Sequence, residues 1–290
     1  MTTTQTALPG GTWKLGDRTI ARFGYGAMQL AGHGVMGPPV DHDGAIAVLR
    51  EAVDQGITHI DTSDAYGPRV SNELIREALH PYPESLLIAT KVGADRDADG
   101  GWPPARTPDD IRRQVRQNLA SLGVQRLDLV NLRMGDATGP QAGSITEAME
   151  TLVELQEQGL IRQLGVSNVT ADQVAEARRV GSIVCVQNMY NLANRWDDPL
   201  IDELAADGIA YVPYFPLGGF TPVQADALSD VAARRDATPT AVALAWLLRR
   251  SANILLIAGT SQVTHLRENI AGAMLSLSDR DVSELDGIGR

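Results

Sequence analysis

Only two of the basic residues are lysines, and the other 23 are arginines. One of the two, Lys91, sits in the short segment TKVG. An amine kept in so arginine-rich a chain points to chemistry that a guanidinium cannot supply, Schiff-base formation being one form of it. Upstream, the segment DTSDAYG carries Asp61 and Tyr66. An acid, a phenol and an amine are side-chain types from which a proton-transfer site is built. Each also has a plain structural reading: Asp61 as a cap, Tyr66 as a packed loop aromatic, Lys91 as a solvated side chain. What decides between the two readings is whether the fold brings the three together.

Hydrophobic patterning supplies that fold. Residues 12–23 read as two short strands about the turn pair Gly16 and Asp17. Apolar strand-like runs then recur at 23–27, 57–61, 86–92, 127–132, 161–166, 183–187, 209–214 and 254–258. Helical patterns follow them at 43–55, 71–79, 108–121, 144–158, 171–178, 199–207, 224–235, 239–249 and 263–274. Strict alternation implies a parallel sheet covered on both faces, and segments such as LLIAT, DLVNL and IVCVQ have the continuous apolar character this requires. Eight such units predict a single α/β domain over 1–290: a (β/α)8 TIM barrel with an N-terminal β-hairpin. Ser278, followed by Val282 and Leu285 at helical spacing, predicts a short extra C-terminal helix over 278–288. Residues 93–107, rich in Gly, Pro and Asp, form the longest irregular stretch.

Composition narrows the function. With 43% hydrophobic and 21% charged residues in 290, the chain supports a large core. A net charge of −11 argues against nucleic acid or an anionic membrane as partner. The single cysteine, Cys185, excludes an internal disulfide and any multi-cysteine zinc site, so no metal is expected. Residues 1–10 have neither a basic segment nor an apolar run, and no stretch of about 18 apolar residues occurs. A cytoplasmic protein with a short polar tail at 1–8 is expected.

In a barrel of this kind, active sites form where strands end at the C-terminal face. Strand two ends in Asp61, with Tyr66 in the loop beyond; strand three ends in Lys91 and strand four in Arg133. Ser167 and Asn168 end strand five, Gln187 and Asn188 strand six, and Tyr214 strand seven. Strand eight runs into Gly259, Thr260 and Ser261. An acid, a phenol and an amine on adjacent strand ends are hard to ascribe to three separate accidents.

The segments DTSDAYG, TKVG, LGVSN, QNMYN, YFPLGG and GTSQVTHLRENI, in this order, resemble those of the aldo-keto reductase superfamily over nearly the whole chain. The resemblance implies a monomeric barrel oxidoreductase that acts on small-molecule carbonyls and binds NADPH without a Rossmann fold. On the family pattern, Asp61, Tyr66 and Lys91 match three members of a catalytic tetrad. Tyr66 would give a proton to the developing alkoxide, Lys91 would make that proton easier to release, and Asp61 would hold Lys91 charged.

The fourth position departs from the pattern, with Arg133 where most members carry a histidine. Three readings stand: Arg133 stabilises the alkoxide, anchors an anionic or phenolate-bearing substrate, or marks a member with little activity on simple aldehydes. Altered substrate choice is favoured because the other three remain. The plain alternative pairs Arg133 with an acid such as Asp136, off the substrate path. Members similar to pyridoxal reductases also lack the histidine, which makes pyridoxal a candidate substrate.

The same resemblance places Ser167, Asn168 and Gln187 on the nicotinamide carboxamide and Tyr214 against its ring. Leu217, Gly218 and Gly219 would meet the pyrophosphate, with Gly259, Thr260 and Ser261 before a helix N-terminus that receives phosphate. His265, Glu268 and Asn269 match adenosine-side positions. NADPH is preferred over NADH, although Gln262 and His265 stand where members often carry Lys or Arg, and Arg267 is the nearby cation. Met28, Gln29 and Trp102 lie on the substrate rim, with Tyr190 and Trp196 in the loop after strand six. Two competing functions remain: a cofactor-binding regulatory subunit with little activity, and an unrelated barrel lyase using Lys91 as a Schiff base.

Overall fold

The computed structural model describes residues 7–136, 139–216, 218 and 225–289. Strands β1 (Thr12–Leu15) and β2 (Arg18–Ala21) pair antiparallel about Gly16, whose φ of 59° suits a residue without a Cβ. Next come β3 (Phe23–Gly26), β4 (His59–Asp61) and β5 (Leu87–Ala94), then the two-residue β6 (Pro104–Ala105). The set is completed by β7 (Leu127–Arg133), β8 (Ile161–Ser167), β9 (Ile183–Gln187), β10 (Ala210–Tyr211) and β11 (Leu256–Ile257). Apart from β1, β2 and β6, these strands are parallel neighbours in chain order, and β11 returns to β3. A bridge from Tyr211 to Ile254 closes the ring, with Leu255 N–H donating to the Tyr211 carbonyl at 2.9 Å. The eight-stranded barrel expected from the alternation is therefore present.

Helices α1 (His42–Asp54), α2 (Val70–Leu79), α3 (Pro108–Leu122), α4 (Thr146–Glu157) and α5 (Ala171–Val180) cover one part of the ring. The rest is covered by α6 (Asp198–Ala206), α7 (Asp226–Arg234), α8 (Pro239–Arg250) and α9 (Val263–Ala273). The predicted terminal helix is α10 (Asp279–Leu285), whose cap Ser278 forms a capping box with Asp281. Their starts are written locally. Thr107 with Asp110 and Thr170 with Gln173 form capping boxes on α3 and α5, and Asp41 accepts from Gly44 N–H at 2.9 Å.

Two apolar layers hold the barrel. Ile88, Val130, Leu132 and Val166 face outward against Leu49, Val115, Leu152 and Leu247 of the helices. Leu87, Ala89, Leu129, Cys185 and Ala210 face inward and meet Leu15 and Ile20 of the hairpin, which closes the barrel floor. Full burial of each large side chain contributes about 1.5–3 kcal/mol.

Arg22 fastens the floor, donating to the carbonyls of Gly10, Leu248, Ser251 and Ile254 at 2.5–3.2 Å. Replacing it with Met strands these acceptors, so Arg22→Met is expected to cost about 2–4 kcal/mol, read as a lower midpoint in urea unfolding. A midpoint within error of the parent's would remove Arg22 from the floor's stability.

Two predicted strands are shorter than their apolar runs. The seventh ends at Tyr211 because Pro213 has no N–H for the ladder, although Val212 and Tyr214 N–H still reach the carbonyls of Val186 and Asn188 at 2.8 and 3.0 Å. The eighth keeps only Leu256–Ile257 as a paired strand. The stretch 93–107 is also more ordered than expected. Gly93 and Ala94 at the end of β5 pair with Ala105 and Pro104 of β6, folding Trp102 back over the barrel mouth.

Candidate active site

β4 ends at Asp61 and β5 carries Lys91, two strands paired side by side. Lys91 Nζ donates to Asp61 Oδ1 at 2.5 Å and to the Thr62 carbonyl at 2.9 Å. The other oxygen, Oδ2, accepts from Gln187 Nε2 at 2.8 Å, and Gln187 Oε1 accepts in turn from Ser167 Oγ at 3.4 Å. All four side chains are buried. Burial alone would strip Lys91 of its proton, but the charge of Asp61, with Tyr66 adding to it, outweighs that and holds the amine above its ordinary value. The other lysine, Lys14, lies exposed on the hairpin.

Tyr66 follows in a turn in which its N–H donates to the Ser63 carbonyl at 3.0 Å. Its ring centroid lies 5.2 Å from Lys91 Nζ, and Trp102 stands edge-on to it at 6.1 Å and 82°. The structure thus brings together the acid, the phenol and the amine singled out in the sequence. Arg133, at the end of β7, lies with its guanidinium carbon 5.6 Å from the Trp102 ring. Its Nε and Nη2 donate to the carbonyls of Gly135 and Asp136 at 3.4 and 3.1 Å.

A buried polar network behind the site was not singled out in the sequence. Thr62 Oγ1 donates to Asn72 Oδ1 at 2.9 Å, and Asn72 Nδ2 donates to Asn118 Oδ1 and Ser121 Oγ, both at 3.0 Å. Thr90 Oγ1 joins at Asn118 Oδ1, 2.6 Å away. The network ties α2 and α3 to the ends of β4 and β5 on either side of Lys91. Its signal was the spacing of Gln114, Asn118 and Ser121, which puts three polar groups on the face of α3 that also carries Ile111 and Leu122.

Asp64 borders this network, with Ser121 Oγ 3.4 Å from its carboxylate. Burial pushes its pKa up to about 6, with Arg69 pulling the other way. An acid raised in the folded state binds more protons there than when unfolded, so stability falls as pH rises from about 4 to 6. Asp64→Asn is accordingly expected to stabilise the protein above pH 6, by about 1–3 kcal/mol, with the gain fading toward pH 4. Urea unfolding at pH 4 and 7.5 reads this out, and an equal effect at both would discount Asp64 as the titrating group.

A cleft of about 890 Å³ opens beside the acid–amine pair. It is lined by Asp61, Tyr214, Met28 and Gln29, and by Gly259, Ser261, Gln262, Val263 and Thr264 leading into α9. Met28, expected at the substrate rim, thus lines the same cleft as Gly259 and Ser261. Thr260 is buried beside it, its carbonyl accepting from Tyr25 OH at 2.6 Å. His265, Glu268 and Asn269 lie along α9, with His265 and Glu268 exposed.

Asn168 is buried, with Nδ2 donating to the Asp136 carbonyl at 2.6 Å and Oδ1 accepting from Tyr214 OH at 2.9 Å. That bond fixes the Tyr214 ring at the cleft wall. Tyr190, expected near the rim, is instead fully buried, stacked on Trp246 at 5.9 Å and 12°, and Trp196 is exposed. Leu217 and Gly219 lie outside the described residues. Among the described residues no cluster of metal-binding side chains occurs, and no helix is long and apolar enough to cross a membrane.

The chain is 59% identical over 281 residues to pyridoxine 4-dehydrogenase of Escherichia coli (strain K12), covering 96% of this chain and 98% of that protein. It is 37% identical over 285 residues to an uncharacterized oxidoreductase of Schizosaccharomyces pombe, covering 98% and 92%. Among solved structures, it resembles a thermostable aldo-keto reductase in complex with the inhibitor epalrestat, at 28% identity and a TM-score of 0.79, covering 95% and 98%. The aldo/keto reductase family model matches residues 22–290. With its barrel, the acid that ends β4, the amine inside β5, which runs on past Lys91 to Ala94, and these likenesses, the chain belongs to the aldo/keto reductase family.

Proposed function

We propose that the protein reduces an aldehyde or ketone reversibly to the alcohol with a nicotinamide cofactor, and that pyridoxal is its substrate. The observation that carries this is the buried Lys91 ammonium, 2.5 Å from Asp61 and 5.2 Å from the Tyr66 ring, where Asp61 lines a cleft of about 890 Å³. The substrate follows from the 59% identity to the E. coli pyridoxine 4-dehydrogenase.

The cleft suits a dinucleotide, being within the volume of small-molecule sites and lined both by Tyr214 and by the residues leading into α9. When bound, the reduced nicotinamide supplies the hydride that goes to the carbonyl carbon. The Tyr66 hydroxyl donates its proton to the carbonyl oxygen, and the Lys91 ammonium stabilises the phenolate left behind. Asp61 keeps Lys91 charged, and Gln187 occupies the second Asp61 oxygen. Tyr214, held by Asn168, offers its ring as a wall for the nicotinamide. This intact machinery favours an enzyme over a cofactor-binding regulatory subunit.

NADPH is the cofactor we assign, with a limited preference over NADH. Arg267 on α9 is paired with Glu51 at 2.8 Å, and the described lining residues include no lysine or arginine. A 2′-phosphate is then met by amides and hydroxyls of residues 260–264 rather than by a guanidinium. The ratio of kcat/KM for NADPH over NADH is expected to stay below about 100, a gap of about 2.7 kcal/mol. Oxidation of each cofactor at 340 nm with pyridoxal tests both statements. No turnover of pyridoxal overturns the substrate, and a higher kcat/KM with NADH overturns the cofactor.

A further inference from the structure

Arg106 was not marked in the sequence, yet the structure sets it beside Arg133. Arg106 Nη2 donates to the carbonyl of Met134, and Arg133 donates to those of Gly135 and Asp136. Two guanidiniums therefore grip three consecutive carbonyls of one turn at the end of β7. Carbonyls are dipoles and cancel no net charge. The carboxylate of Asp136 accepts from Gln141. Burial, with the charge of Arg133 added, holds Arg106 below its ordinary value, as expected for like charges brought close together.

Arg133, the member of the pair nearer Tyr66, stands on the far side of Trp102 from it, and Arg106 is reached through the turn that both arginines grip. Arg133 lies 5.6 Å from the Trp102 ring, and that ring stands edge-on to Tyr66. Arg96 stacks on the same ring at 4.1 Å and bonds to the Gly34 carbonyl, which ties the loop after β5 to the loop after β3. Arg133 also bears electrostatically on Tyr214 at the cleft wall. The side of the site away from the cleft thus gathers Arg96, Arg106 and Arg133 about the Trp102 ring and the turn after β7, against the one carboxylate of that turn, Asp136.

We infer that Arg106 and Arg133 form a paired-guanidinium subsite that reads an ionised oxygen on the ring of an aromatic carbonyl substrate, with Trp102 supporting that ring. The inference rests on the carbonyl-reductase reading above. A bound phenolate relieves the repulsion between the two cations and gains charge-assisted hydrogen bonds from them. A neutral ring leaves both cations as they are, so the difference appears as specificity.

The test compares 3-hydroxy- and 3-methoxy-4-pyridinecarboxaldehyde, at a pH where the hydroxyl is ionised, through cofactor oxidation by the wild type, Arg106→Gln and Arg106→Lys. The wild type is expected to favour the hydroxy compound by at least about 30-fold in kcat/KM. Arg106→Gln is expected to cut that ratio about tenfold or more, mainly through KM for the hydroxy aldehyde, and Arg106→Lys to recover part of it. A purely structural role for Arg106 lowers both rates together and leaves the ratio unchanged, which overturns the proposal. Should the variants not fold, the wild type still decides: equal turnover of the two aldehydes overturns the subsite but not the reductase reading. Turnover of neither overturns both.

Discussion

Tyr66→Phe is expected to lower kcat for carbonyl reduction by about 10²–10⁴-fold, the range for loss of a positioned general acid. The change removes one oxygen and keeps the ring. Edge contact with Trp102 and the approach of Lys91 to the ring face both survive it. The fold and the cleft wall at Tyr214 should therefore be unchanged, and the cofactor Kd, measured by fluorescence titration, should stay within roughly twofold, under 0.5 kcal/mol. A lost hydroxyl that serves only packing would leave kcat nearly intact. If the variant keeps more than a tenth of the parent kcat, another group donates the proton.

Lys91→Met is expected to affect both activity and stability. Asp61 would remain buried with Gln187 as its hydrogen-bond donor, and an uncompensated buried carboxylate costs about 3–5 kcal/mol. Activity should fall at least as far as in Tyr66→Phe, because the phenolate loses the ammonium that stabilises it. Adding Asp61→Asn should return most of the stability, since a neutral amide replaces the stranded charge, and none of the activity. Lys91→Arg should not rescue turnover: a planar fork cannot reproduce a compact ammonium donating at once to Asp61 Oδ1 and the Thr62 carbonyl.

The pair also sets a pH signature. Lys91 is raised in the folded state, so its contribution is complete below its ordinary value of 10.5 and is lost as pH rises past the folded value. The alkaline fall in stability should therefore be shallower in Lys91→Met. Urea unfolding between pH 9 and about 12 follows it, and parallel curves for parent and variant above 10.5 would show that Lys91 carries no such linkage.

Much of the fold could be read from the sequence because parallel strands, buried on both faces, announce themselves as apolar runs between capped helices. Asp61 could be read for the same reason, since it ends such a run, whereas Lys91 lies inside β5 and was marked by being one of two lysines among 25 basic residues. Past Gln187 this reasoning fails. The segment from Asn188 onward has no strand periodicity to say which way a side chain points, so nothing local distinguished Tyr190, stacked in the core, from Trp196, exposed to water. Asn72 and Asn118 were hidden because polar residues on an amphipathic helix read as solvent-facing, whereas here they bond to each other inside. Arg106 was hidden because its neighbour Arg133 is 27 positions away, and only the pairing of β5 with β6 and β7 brings the two together.

The hairpin floor has a consequence for how the enzyme recovers between turnovers. Leu15 and Ile20 seal the lower end of the barrel with side chains that offer neither donor nor acceptor, and Leu87, Leu129 and Leu255 above them continue the seal. Leu15 and Ile20 thus offer no hydrogen-bond partner to a chain of water climbing the barrel axis from below. On the proposed mechanism, a proton given up by the Tyr66 phenol is then replaced from the open mouth, past Trp102 or along the cleft beside Asp61. Reprotonation thus shares its route with the molecules that come and go, and an occupied mouth holds the phenolate in its spent form until product departs.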